Sequence, residues 1–197
     1  GYISLGALND TVKAVKVDGA EATVDNVKAG AYKLSRPFNI ATKGEPTGVA
    51  KDFISFILSK EGQAVVTDNK YIAVNDAAES FVSDGSSGQI AVGGSSSVSP
   101  VMEKLIEAYK AVNPNASIDL QTSDSTSGMT GAMDGTFAIG MASRELKDEE
   151  AAQLTGTAIA LDGIAVIVNP ANTIDELSMD QIKSIYVGDI TDWGDLA

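Results

Sequence analysis

The feature that most constrains the fold is an alternation of short apolar segments with amphipathic segments in the second half of the chain. Strand patterns occur at 89–92, 117–121, 138–141 and 157–168, the last as one or two strands with Asp162-Gly163 as a candidate turn. Helix patterns occur at 99–112, up to about 133, in the acid-rich stretch after 144, and at 179–186 with Ser178 as a candidate N-cap. Because parallel strands need crossover connections, this alternation predicts an α/β fold with a mostly parallel central sheet and helices on both faces.

The first part of the chain contains shorter patterns. Strands are predicted at 2–5, 12–17 and 37–41, and a short helix at 24–29 begins after Thr23, its candidate N-cap. A single long helix is predicted at 47–66, because Val49, Phe53 and Phe56 recur at helical spacing.

The stretch 75–88 differs in composition from both of its neighbours. It is rich in Ser, Gly, Asp and Ala, and we predict a flexible linker. It separates segment 1–74 from segment 89–197, and a total of 197 residues allows the two segments to form one domain together.

Two features of the composition exclude whole classes of function. The sequence has no His and no Cys, so imidazole bases, thiolate nucleophiles, Cys/His zinc sites and disulfides are excluded, and we predict neither a metal nor a cofactor. The net charge is −13, from 27 acidic and 14 basic residues, which argues against nucleic acid and anionic membranes as partners. No catalytic residues are predicted, and a P-loop is excluded because Gly93-Gly94-Ser95-Ser96 lacks the required lysine.

Three predicted strand-to-helix turns are rich in hydroxyl groups. They are the turns at 95–99, 122–128 and 142–144, and each precedes a predicted helix. In a parallel α/β sheet such turns gather at the carboxyl ends of the strands, where the free N–H groups of the helices favour anions. The turns therefore indicate a small oxyanion or polyol bound by neutral donors. The alternative, that these Ser and Thr residues only cap helices, stays open.

Long stretches of the sequence resemble a known family. IAVGGSSSVSPVMEKLIEAYKAVNPNASIDLQTSDSTSG, then MASRELK, ALDGIAVIVNPAN and DITDWGDL, resemble the N-terminal part of the phosphate-binding proteins of ABC transporters. GYISLGALNDTVKAV and RPFNIATKGEPTGVAKDFISFILSKEGQAVV resemble the C-terminal part of the same family. The resemblance implies a periplasmic-binding-protein fold of type II.

The order of these two parts is reversed relative to the family pattern. Segment 1–74 resembles the end of the family sequence and segment 89–197 resembles its beginning, and the second lobe that normally lies between them is missing. The resemblance therefore implies one lobe, made continuous by circular permutation through 75–88.

The resemblance also implies which residues contact phosphate. Ser96 and Ser97 match the first phosphate loop, and Ser125 matches the hydroxyl donor before the second, short helix. Ser143 stands where some members carry an aspartate that accepts the phosphate proton, so that acceptor is lost here. Arg144 follows directly, but the resemblance assigns it no contact.

The function implied is that of an extracytoplasmic solute receptor for an ABC phosphate importer, with an ABC permease as partner. An isolated lobe offers half of the donors, so we expect phosphate binding in the millimolar range or not at all. Exposed hinge edges at 2–5 or 189–196 are expected to promote self-association. Two alternatives stay open: an enzyme acting on a phosphorylated substrate with Asp124 or Asp162 as base, and an interaction domain without a small ligand.

Overall fold

Residues 1–196 are described by the structure, a computed structural model, and they form two compact units. One unit spans 36–161; the other combines 1–35 with the residues from Asp162 onward. The strands are Tyr2–Ser4 (β1), Lys13–Ala14 (β2), Lys16–Val17 (β3), Ser35–Thr42 (β4), Gly88–Ser95 (β5), Ala116–Ser123 (β6), Ile139–Ala142 (β7), Thr155–Val168 (β8) and Glu176–Leu177 (β9). The helices are Val24–Lys28 (α1), Gly48–Ile57 (α2), Lys60–Asp68 (α3), Ser99–Val112 (α4), Ser125–Asp134 (α5), Asp148–Ala151 (α6) and Met179–Val187 (α7), with 3-10 turns at Leu5–Ala7 and Trp193–Leu196.

The sheet of unit 36–161 has mixed strand directions. Strands β4, β7, β5 and β6 are neighbours in that order, with β5 parallel to both β6 and β7 and β4 antiparallel to β7. The predicted α/β class is confirmed, but parallel pairing in this group is confined to β6, β5 and β7. Strand β4 runs antiparallel to β7, so this group is a mixed sheet.

Helices cover both faces of this sheet, as predicted. On one face Ile40 of β4 and Met141 of β7 pack in the core formed with α2, α3 and α4. The next residues along these two strands, Ala41 and Ala142, pack with Met129 of α5 in a second core. Because successive strand residues point to opposite faces, the two cores lie on opposite sides of the sheet.

The predicted helix at 47–66 is wrong, because the chain forms α2 and α3 instead. The break lies at Ser59, whose hydroxyl caps α3 by accepting a hydrogen bond from the Gly62 amide. A Cβ atom on Gly62 would lie 2.1 Å from the Phe56 carbonyl oxygen, so only glycine allows the two helices to meet this closely.

Two further sequence predictions are corrected in the other unit. The strand predicted at 12–17 is divided into β2 and β3. Asp162-Gly163 forms no turn, and β8 runs through it without interruption. A Cβ atom on Gly163 would lie 3.1 Å from the Leu5 side chain, so this glycine serves close packing within the strand.

The unit that contains both chain segments 1–35 and 162–196 is held by pairing along the second half of β8. Strands β1 and β2 pair antiparallel with β8, and β3 pairs parallel with β9. The caps predicted at Thr23 and Ser178 are confirmed: their hydroxyls accept hydrogen bonds from the amides of Asn26 and Gln181. No helix within residues 1–196 is long and apolar enough to cross a membrane.

The segment predicted as a linker is bonded to α2, α3 and α4 within unit 36–161. Residues 75–87 contain neither helix nor strand, yet the Phe81 ring packs edge-on against Phe56 at a centroid distance of 5.2 Å. Next to it, the buried carboxylate of Asp52 accepts hydrogen bonds from both the segment and α4. We call Asp52 and its donors, Ser83, Asp84, Tyr109 and Asn113, the Asp52 cluster.

Candidate anion-binding site

The three hydroxyl-rich turns follow strands that lie side by side. Because β5 is parallel to both β6 and β7, the carboxyl ends of all three strands meet at one edge of the sheet. The turns after β5 and β6 are joined directly, since the Ser96 amide donates a hydrogen bond of 2.9 Å to the Ser123 carbonyl. The helices α4 and α5 begin at this edge with Ser99 and Ser125.

Glycines allow α5 to lie directly on the strands at this edge. A Cβ atom on Gly128 would lie 2.6 Å from the Met141 carbonyl oxygen and 2.7 Å from the Gly94 Cα. Gly94 itself has a φ of +136°, a conformation that L side chains rarely adopt. This close approach brings Ser125, in the first turn of α5, against the turn after β7.

Two of the predicted residues, Ser125 and Ser143, contact each other. The Ser143 amide donates a hydrogen bond of 3.1 Å to the Ser125 hydroxyl, and the Ser95 hydroxyl donates one of 3.0 Å to the Ser143 hydroxyl. A hydroxyl has one proton and two lone pairs, so an oxygen that accepts a bond keeps its own proton for another partner. The hydroxyls of Ser125 and Ser143 therefore each accept one of these bonds and keep a proton that the two bonds do not use.

The other two predicted residues, Ser96 and Ser97, lie in the turn before α4. Ser96 is exposed and Ser97 is half-buried. Within residues 1–196 neither hydroxyl takes part in a hydrogen bond. The hydrogen bond from this turn to Ser143 comes from Ser95, whose hydroxyl donates to the Ser143 hydroxyl.

Sequence reasoning missed the supporting residues Ser95 and Ser99. Both are buried, and the Ser99 hydroxyl donates to the Ser95 carbonyl at 3.2 Å and lies 2.9 Å from the Thr122 hydroxyl. The sequence places them in the same serine-rich turn as Ser96 and Ser97. Burial and the hydrogen bonds of their hydroxyls distinguish these two residues from Ser96 and Ser97.

The two carboxylates considered as bases have structural partners. Asp124 caps α5, accepting hydrogen bonds from the Ser127 hydroxyl at 2.6 Å and from the Thr126 amide at 2.8 Å. The bond from the Ser127 side chain, with those from the amides, lowers the pKa of Asp124 below its ordinary value. Asp162 lies in the other unit and accepts a hydrogen bond from the Ser4 hydroxyl.

Arg144 carries the positive charge next to Ser143, and a buried carboxylate holds it. Its two terminal nitrogens donate to the two oxygens of Glu150 at 2.7 and 2.8 Å. This pairing lowers the pKa of Glu150 and raises that of Arg144, so both stay charged. Across the part of the chain that the structure describes, no group of three or more acidic side chains could hold a metal ion.

Comparison with known proteins identifies the family. A model described as a PBP superfamily domain matches residues 80–197. The phosphate-binding protein PstS 2 of Streptococcus agalactiae is 52% identical over 199 residues, covering 100% of this chain and 68% of that protein. The chain belongs to the PstS family of phosphate-binding proteins.

Two solved structures match the chain to different extents. The crystal structure of a phosphate-binding protein of a phosphate ABC transporter from Streptococcus pneumoniae superposes with a TM-score of 0.91 at 47% identity, covering 100% of this chain and 77% of that one. A structure with bound phosphate from Clostridium perfringens, a putative phosphate ABC transporter substrate-binding protein, is 44% identical with a TM-score of 0.51. It covers 55% of this chain and 45% of its own.

Proposed function

We propose that this chain binds inorganic phosphate as one lobe of an extracytoplasmic solute receptor for an ABC importer, with the permease of that importer as partner. The observation that carries the proposal is the pair of hydroxyls on Ser125 and Ser143, which are fixed by internal bonds and keep protons to donate. Phosphate offers oxygens arranged to accept from several such donors at once. The name of the S. agalactiae relative, a phosphate-binding protein, supports the same ligand.

The donors of the proposed site are neutral hydroxyl and amide groups, so they select by geometry rather than by net charge. The proposed contacts are Ser96 and Ser97 before α4, Ser125 at the start of α5, and Ser143 after β7. A protein with a net charge of −13 does not attract anions over long distances, and the site depends on short hydrogen bonds. Because a hydroxyl at Ser143 donates to any oxyanion, we expect sulfate to compete with phosphate.

The order of the two segments is part of the proposal. The S. agalactiae relative aligns over 100% of this chain, whereas the C. perfringens structure covers 55% of it. This contrast supports a circularly permuted order that the streptococcal relative shares and the clostridial protein lacks, with 75–88 as the connection between the segments.

We infer weak binding for residues 1–197 taken by themselves, because all four proposed contacts belong to the one proposed lobe, and the chain aligns with 68% of that relative's length. Each charge-assisted hydrogen bond that a second lobe would add contributes about 1.5–3 kcal/mol, and about 1.4 kcal/mol corresponds to a tenfold change in affinity. Losing several such bonds leaves an expected dissociation constant in the millimolar range or above.

The test is an NMR titration of the 15N-labelled chain with inorganic phosphate. We expect amide shifts confined to the turns at 95–99, 124–127 and 142–145, approaching saturation only at millimolar phosphate. Ser125→Ala and Ser143→Ala should each remove these shifts, whereas Ser117→Ala, on the exposed side of β6, should keep them. Shifts centred elsewhere, or none, would contradict the site, and micromolar affinity would contradict the half-site.

Self-association is the second part of the partner proposal. In the unit that contains β1 and α7, Tyr2 is 64% exposed with its ring 6.1 Å from that of Tyr186, and Trp193 is 48% exposed. Exposed aromatic surface of this kind favours association between copies. Sedimentation at high protein concentration should therefore show dimers that Tyr2→Ser weakens; a strict monomer would remove this part.

The enzyme alternative is less well supported. The hydrogen bonds that hold the carboxylate of Asp124 lower its pKa, which makes it a weak base. Asp162 has a serine partner in the other unit. The relatives are named as binding proteins, and the absence of phosphoesterase turnover is the corresponding expectation.

A further inference from the structure

The guanidinium of Arg144 connects three parts of the site edge. Besides Glu150, it contacts the Thr126 hydroxyl at 3.3 Å, in the first turn of α5. It also donates to the neighbouring Glu145 carbonyl at 2.9 Å. One side chain therefore joins the turn after β7, the start of α5 and the segment around α6.

The backbone of the same turn is anchored on both sides of Arg144. The Asn39 side chain of β4 donates a hydrogen bond of 2.9 Å to the Arg144 carbonyl, and the preceding Ser143 amide is bonded to Ser125. Glu150, only 2% exposed, also accepts from the Lys147 amide at 2.8 Å. The partner of Arg144 is thus itself fixed, and the guanidinium has little freedom to turn toward a ligand.

The electrostatics of this arrangement argue against a role in attracting anions. The charge of Arg144 is paired bidentately with Glu150, and the ionised Asp124 lies close enough to interact with it. A cation that is already compensated by two carboxylates adds little field at a neighbouring oxyanion. The planar guanidinium instead fixes the distance between the turn after β7 and the first turn of α5 through its hydrogen bonds.

We propose that Arg144 is a positioning residue of the oxyanion site, which holds the turn of Ser143 against the first turn of α5 so that the hydroxyls of Ser143 and Ser125 face one ligand. The role in phosphate binding rests on the proposed function; the role in fixing the two turns does not. Arg144 acts through the serines and does not contact the anion.

The test compares Arg144→Lys, which keeps the charge and loses the fork, with Lys104→Ala, which removes an exposed positive charge on α4. In the absence of phosphate, hydrogen exchange of the Ser143 amide reports the bond to Ser125. We expect this exchange to accelerate about tenfold in Arg144→Lys, because the turn opens more often, and to stay unchanged in Lys104→Ala.

Phosphate titration of the same variants gives the second readout. A positioning role predicts that Arg144→Lys weakens phosphate binding about tenfold, the equivalent of one charge-assisted bond, without changing its dependence on salt. Thr126→Ala, which removes one contact of the fork and keeps the ion pair, should weaken binding less. If Arg144→Lys instead binds like the parent chain while Arg144→Ala does not, charge is the role and the proposal is wrong.

The two proposals fail in different ways. If the parent chain shows no phosphate shifts at all, the proposed function fails, and the exchange of the Ser143 amide still tests whether Arg144 fixes the turn. If phosphate binds but that exchange and the affinity of Arg144→Lys both match the parent, the positioning role is wrong and the phosphate site stands.

Discussion

The two ends of helix α4 carry polar groups that are used in opposite ways. At the C-terminal end of α4, the carboxylate of Asp52 accepts four hydrogen bonds. Two come from α4 and the residue after it, the Tyr109 hydroxyl at 2.7 Å and the Asn113 side chain at 3.1 Å. The other two come from the segment 75–88, the Ser83 hydroxyl at 2.8 Å and the Asp84 amide at 2.9 Å. Four donors around one buried carboxylate use its accepting capacity. This end of the helix is closed to a ligand.

At the N-terminal end of α4 the hydroxyls are only partly used. Ser95 and Ser99 are buried and bonded, but Ser97 keeps a hydroxyl with no partner within residues 1–196, and Ser143 keeps a proton after accepting from Ser95. Burial and residue type therefore do not distinguish this structural polar cluster from the candidate binding site. The difference is that the candidate site keeps hydroxyl groups that make no hydrogen bond as donors.

Replacing Asp52 should have the largest effect on the free energy of unfolding. Asp52→Asn removes the charge that four donors share, and we expect a loss of about 3 kcal/mol in the free energy of unfolding, the equivalent of one to two charge-assisted hydrogen bonds. Urea unfolding measures it. Asp68→Asn, at an exposed position of α3, should stay within about 0.5 kcal/mol.

Asp52→Asn also tests whether the bonds to Asp52 keep the segment 75–88 packed against the rest of its unit. Because Ser83 and Asp84 belong to this segment, Asp52→Asn should expose it to limited proteolysis while the parent chain resists. A loss of stability below about 1 kcal/mol would show that the cluster contributes less than its hydrogen bonds suggest.

The Asp52 carboxylate should contribute to the pH dependence of stability. Burial acts to raise the pKa of Asp52, but the bonds from Tyr109, Asp84, Ser83 and Asn113 outweigh it and leave the pKa below its ordinary value. A carboxylate with a lowered folded pKa stabilises the protein above its unfolded pKa, and this stabilisation is lost as the pH falls through the folded pKa.

We therefore expect the difference in unfolding free energy between the parent chain and Asp52→Asn to be full at neutral pH and to shrink below about pH 4. Unfolding curves across that range measure it. A difference that stays constant down to about pH 2 would mean that Asp52 is not the ionised hub described here.

Local patterns in the sequence were sufficient to predict many of the helices and strands. The bounds of α4 were predicted correctly, because its apolar spacing is regular and Asn113-Pro114 ends it. The break at Ser59 was not predicted, because it depends on Gly62 approaching the Phe56 carbonyl, a contact between helices. Propensity favours helix on both sides of such a break, so tertiary packing decides.

The candidate site was predictable in residue type and not in role. The pattern located Ser96, Ser97, Ser125 and Ser143 in turns after strands, and the structure joins Ser125 to Ser143 directly. It could not indicate which serines are buried supports, because Ser95 and Ser99 differ from their neighbours in burial and hydrogen bonding, which only the folded structure shows. The Asp52 cluster was missed for a different reason: its members lie on α2, at the end of α4 and in the segment 75–88, far apart in sequence.

The smallest expected effects are those of Ser97→Ala and Ser99→Ala. They test the comparison most directly, because the two serines lie in the same turn and differ in whether their hydroxyls are hydrogen-bonded. Ser97→Ala removes an unpartnered hydroxyl, so unfolding free energy should change by less than about 0.5 kcal/mol while phosphate affinity falls about fivefold. Ser99→Ala removes a buried, bonded hydroxyl, so stability should fall by about 1 kcal/mol with phosphate affinity nearly unchanged. Unfolding curves and NMR titrations of both variants give the four values. If both serines lowered stability and spared affinity, the N-terminal end of α4 would be as closed as the Asp52 end, and the distinction drawn from unused donors would be wrong.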